Sequence, residues 1–140
     1  MSVLFSALCW IGSSSLATAQ NPQQPEPPSP EEMAANEADR LGELLELEDW
    51  QIFYVDSTLQ HDYAGLKKDM EDLMKSRVEG MQVYQKMQDK WMDQIDKTYK
   101  RIFHEDQWKK YLKTGAGKMM KQREKRKAKW AKIEAKKEDK

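Results

Sequence analysis

After residue 30 the apolar positions recur every three or four residues and never alternate, which is the period of helices rather than strands. Ala34, Ala38, Leu41 and Leu45 mark one face of a first helix. Its start is written in Ser29-Pro30-Glu31-Glu32: Ser29 caps, Pro30 suits the first helical position, and Glu32 completes a capping box. It should end near Glu46. Glu48-Asp49 opens a second helix, with acids set against the positive end of its dipole. Its apolar face runs Ile52, Val55, Leu59, Tyr63, Leu66, Met70, Leu73. The spacing places a turn over Ser76 to Gly80, with Gly65 as the competing break. A third helix carries Met81, Tyr84, Met87, Trp91, Ile95, Thr98 and Ile102. His104-Glu105-Asp106 opens a fourth, with Trp108, Tyr111 and Leu112, and Gly115-Ala116-Gly117 breaks or kinks it. The stretch from Lys118 to Lys140 is helix-prone, very basic and poor in large apolar residues, and is expected to fray or stand alone in solvent. The expected fold is all-α: an extended helical hairpin or small bundle of about four helices. Such a thin body leaves part of its apolar face open unless a second copy covers it.

The two ends of the chain differ from this body. Residues 1–20 contain no charged side chain, and Val3 to Ile11 form a short apolar core followed by Ala17-Thr18-Ala19. That small-x-small pattern predicts a signal peptide over 1–19, cleaved after Ala19, and hence export. The core is too short to span a bilayer, which takes about 20 residues. The sole cysteine, Cys9, would leave with it. All five prolines fall between Asn21 and Pro30, making 20–30 an extended Pro/Gln-rich linker. The expected organisation is therefore signal 1–19, linker 20–30, helical domain 31–115 and basic tail 116–140.

Charge sharpens the division. The 140 residues carry 24 Lys+Arg and 24 Asp+Glu. Residues 21–60 hold ten acids and one base (net −9), 61–108 ten acids and nine bases (net −1), and 109–140 four acids and fourteen bases (net +10). Either the two ends attract each other within the fold, or the basic end has an anionic partner. Lys121, Arg123, Lys125, Arg126 and Lys127 are the candidate contacts. Their charge would hold phosphates without sequence preference, but export argues against nucleic acid and towards an anionic envelope surface.

Catalytic chemistry has little to stand on. Two histidines and one cysteine supply no recurring ligand spacing, so neither metal nor cofactor is expected, and an enzyme is the least supported class. Glu48-Asp49 and Glu105-Asp106 are explained by their places at helix starts. Gly115-Ala116-Gly117-Lys118 lacks the spacing of a phosphate loop. Met70, Met74, Met81, Met87 and Met92 are candidate contacts for irregular apolar partners, although methionine at helical spacing is more often core. Trp50, Trp91 and Trp108 are expected at buried helix contacts.

One internal repeat stands out. Leu47-Glu48-Asp49-Trp50-Gln51 and Phe103-His104-Glu105-Asp106-Gln107 align 56 positions apart, each where one helix hands over to the next. In each, an apolar residue acts as a staple, the next can cap, and a glutamine lies one turn into the new helix. Leu47, Gln51, Phe103 and Gln107 thus resemble the LTxxQ signature of the Spy/CpxP family of periplasmic proteins, over roughly residues 40 to 115. Glu48 and His104 replace the family's threonine, and Phe103 its second leucine. The resemblance implies a cradle-shaped all-α dimer that holds unfolded or partly folded clients without ATP, or serves envelope-stress sensing. The alternative is a non-enzymatic envelope-interaction protein that anchors through its basic tail.

Overall fold

The computed structural model describes residues 27–138, with the side chain of residue 138 left aside. The expected signal peptide, its cleavage site and most of the linker lie outside the described residues.

The described chain is all-helical and contains no strand. Five helices follow one another: α1 Pro30–Leu45, α2 Asp49–Lys75, α3 Met81–Ile102, α4 Glu105–Tyr111 and α5 Gly117–Glu138. A π-helical turn, Leu112–Ala116, joins α4 to α5, so the two form one kinked run and the fold has four helical arms, as expected. The kink sits at Gly115, whose φ of 104° is open to glycine and strained for other residues.

The helix starts obey their local chemistry. Ser29 Oγ accepts from Glu32 N (3.2 Å) and Glu32 Oε2 from Ser29 N (3.1 Å), the reciprocal box expected there. α1 ends with Glu46 in the left-handed region. The second turn falls at Ser76–Gly80 as expected, but Arg77 (φ 50°) shares the left-handed geometry with Gly80 (φ 106°). Gly65 breaks nothing. It lies inside α2, where Trp91 of α3 packs so tightly that a Cβ would meet the indole at 2.3 Å.

The core joins α1, α2 and α3. Ala34, Ala38, Leu41 and Leu45 of α1 pack with Val55 and Leu59 of α2 and with Ile95, Tyr99 and Phe103 at the end of α3. Tyr99 stacks on Phe103 (centroids 5.0 Å) and meets Tyr111 edge-on (5.4 Å), so the second helix handover is an aromatic cluster. Length then limits coverage. At 1.5 Å per residue, the 16 residues of α1 reach about 24 Å and the 27 of α2 about 40 Å. From Tyr63 to Gln88, around the α2–α3 turn, no residue is fully buried.

The basic tail corrects the expectation of a fraying, solvated segment. α5 packs back along α3 through ion pairs. Arg123, 5% exposed, pairs with Asp96 and donates to Asp93 Oδ1 (2.8 Å). Arg126 makes a two-pronged contact with Asp89 (2.9 and 2.7 Å), and Lys127 pairs with Asp93. Lys86 pairs with Glu134 and lies over the Trp130 ring.

Candidate binding surface

The two repeat copies meet. Gln51 Nε2 donates to Gln107 Oε1 (2.7 Å), and Gln107 Nε2 donates back to Gln51 Oε1 (3.1 Å). Each oxygen also accepts the backbone N–H at its own helix start, Glu48 N and His104 N, at 2.9 Å in both cases. Each nitrogen also donates to the carbonyl just before the other copy: Gln51 to Ile102 O (2.9 Å), Gln107 to Glu46 O (3.3 Å). Both buried amides therefore use two donors and two acceptor positions, their full capacity. Leu47 and Phe103 are buried beside them. Glu48 Oε1 faces His104 Nε2 at 3.3 Å, and Glu48 Oε2 accepts from Trp50 Nε1 at 2.6 Å, which together hold the Glu48 carboxyl below its usual range. The arrangement has a local two-fold character and no unpaired chemistry, so it acts as a clasp rather than a ligand site.

The open chemistry lies on the uncovered part of the α2–α3 hairpin. Met81 is 83% exposed and Met74 is also exposed, both beside the turn. Met70 and Met87 are half-buried. Met92 packs against the core and lines a groove of about 950 Å³ with Met33, Tyr63, Leu66 and Pro27–Pro30. The five candidate methionines thus form a gradient, from core contact at Met92 to open surface at Met81. Apolar side chains with rotatable thioethers at a half-open face suit partners of variable shape.

Of the five candidate cationic contacts, Arg123, Arg126 and Lys127 are engaged by α3 carboxylates, which corrects their reading as free contacts. Lys121 and Lys125 are exposed. Burial pushes Asp96 upward, and the Tyr111 hydroxyl and Arg123 only partly oppose it. Burial acts on Asp93 too, but bonds from Lys127 and Arg123 outweigh it and hold its carboxyl low. Among the described residues no three His, Cys, Asp or Glu side chains gather as a metal site.

A second apolar surface escaped the sequence reading. Trp50, Phe53 and Tyr54 are exposed on α2, with edge-to-face contacts of 6.2 and 5.7 Å. Trp50 was expected at a buried contact, whereas Trp91 and Trp108 are half-buried. Counting only one apolar stripe of α2 hides residues that flank it on the other side. No described helix is long and apolar enough to cross a membrane.

No family model, no curated protein and no solved structure matches this chain.

Proposed function

We propose that the chain is an exported, ATP-independent helical binding protein of the Spy/CpxP kind, holding apolar segments of unfolded or partly folded proteins against the α2–α3 hairpin. The observation that carries this reading is the mismatch between α1 and α2. The apolar stripe of α2 continues past the reach of α1, so Met70, Leu73 and Met74 lack the cover that Val55 and Leu59 have. A stable clasp at one end and an uncovered, methionine-rich stripe at the other suit a surface that accepts varied apolar segments. Support comes also from the meeting of the two repeat copies on which the resemblance rests. The envelope-anchor alternative is weakened because three of its five cationic positions are committed to Asp89, Asp93 and Asp96.

The test follows light scattering of a chemically denatured, unrelated client on dilution, without ATP. The chain should suppress aggregation near stoichiometric amounts. M74D/M81D should lose most of that suppression while keeping its helical circular dichroism. No suppression by the unaltered chain at several-fold excess overturns the reading. Export is tested separately, by a mature amino terminus at Gln20.

A further inference from the structure

A second surface pairs in shape and charge with a distant part of the same chain. Between α1 and α2 lies a shallow groove floored by Ala35, Ala38, Ile52 and Phe53 and rimmed by Asp39, Asp49 and Asp56. Phe53 is 66% exposed there. None of the three aspartates forms an ion pair among the described residues; Asp56 Oδ2 accepts only from Gln60 Nε2 (2.8 Å), and its Oδ1 is buried without a partner. On α5, a strip of Lys125, Lys129, Lys132 and Lys136 is flanked by Ala128 and Ile133. At 100° per residue these lysines fall opposite Arg123, Lys127 and Glu134, which with Arg126 hold α5 to α3, and all four are exposed, so the strip faces away from α3. No ion pair among the described residues uses these four lysines either.

Spacing matches as well as sign. Asp49 and Asp56 are seven residues apart on α2, as are Lys125 and Lys132, or Lys129 and Lys136, on α5. Seven residues advance any α-helix by about 10.5 Å, so a helix laid along the groove sets lysines at the interval of the acids. We propose that the outer face of α5 from one copy of this chain docks in the α1–α2 groove of a second copy. The lysines then pair with Asp39, Asp49 and Asp56, and Ile133 and Ala128 cover Phe53 and Ile52. Within one chain α5 runs along α3, so the contact is made between copies. A two-fold dimer uses it twice, each copy lending its α5 to the other. α5 lies outside residues 40–115, so the resemblance to Spy/CpxP proteins does not bear on this contact, and the proposal stands or falls apart from the client-holding reading.

Sedimentation velocity of the purified chain tests it. Association should be strong at about 50 mM salt and weaken by about tenfold or more at about 500 mM, because exposed charge pairs are screened. D39K/D49K and K129E/K132E should each be monomeric, with unchanged circular dichroism. Mixed in equal amounts, they should associate again, since the unaltered lysines of one variant meet the unaltered aspartates of the other, and the introduced glutamates meet the introduced lysines. A chain monomeric at low salt overturns the proposal, as does association that both variants retain or that their mixture fails to restore. Binding of a monomeric chain to phosphatidylglycerol vesicles, abolished by K129E/K132E, would assign the lysine strip to an anionic surface and also overturn it.

Discussion

Val55 and Leu59 are sealed between α1 and α3, while Leu73 and Met74, on the continuation of the same α2 stripe, are half-exposed and exposed. At the handover end, three helices, an aromatic cluster and two amides with every bonding position filled enclose the core. At the turn end α2 packs on α3 beyond the reach of α1, α5 meets α3 at Lys86, and no side chain is fully buried. The periodicity of α2 is continuous across both, so the pattern of one helix does not decide its burial. The length of its neighbour does. Stability and binding surface are thereby separated along one hairpin.

This contrast is sharpest under matched truncation. Leu41→Ala at the sealed end removes a fully buried side chain of the core, and should lower unfolding free energy by about 2–5 kcal/mol. Met81→Ala at the turn should stay within about 0.5 kcal/mol, because an 83% exposed side chain has little burial to lose. Denaturant titration measures both, and a large loss at Met81 would erase the distinction between the ends. Gln107→Ala comes next, at about 1–3 kcal/mol, since it strands Gln51 without its amide partner. A double-mutant cycle with Gln51→Ala should show strong coupling, and additivity of the two would deny the clasp. Gly65→Ala sits between the two ends and should cost about 1–3 kcal/mol by forcing Trp91 aside, with altered tryptophan emission as its signature.

The smallest effect concerns α5. The Asp93 carboxyl is held below its usual range, so its pairing contributes above the ordinary Asp value of about 4 and is lost as pH falls through its folded value. Asp96 is shifted upward, so its protonation on acidification opposes part of that loss. The net expectation is a modest loosening of α5 below about pH 4, with Trp130 fluorescence responding before the helical signal of the core. Simultaneous loss of both would place α5 inside the cooperative unit.

The boundaries of the helices were legible because each is marked locally, by Ser29-Pro30, by Glu48-Asp49, by the Ser76–Gly80 turn and by the glycines near 115. The clasp was half legible. The two five-residue copies could be aligned, but that Gln51 and Gln107 complete each other depends on α2 and α3 folding back over 56 residues. The docking of α5 was missed because charge was counted by segment. A net of −1 over 61–108 conceals Asp89, Asp93 and Asp96, which recur at steps of four and three on one helical face and meet Arg123, Arg126 and Lys127 at steps of three and one. A charge count taken by face rather than by stretch would have shown them. Gly65 misled for a similar reason, since a glycine that admits an indole and one that ends a helix read alike until the partner is known.

The clasp also sets how the molecule comes apart. Four of its six bonds join residues far apart in sequence, and none of those four is satisfied until both handovers have formed, so it closes as a unit. Backbone amides near the Ser76–Gly80 turn can open with that latch shut, while those around Val55 and Tyr99 must wait for the whole fold to give way. Hydrogen exchange along α2 should accordingly quicken from Val55 to its last turn, a gradient of opening within one unbroken helix.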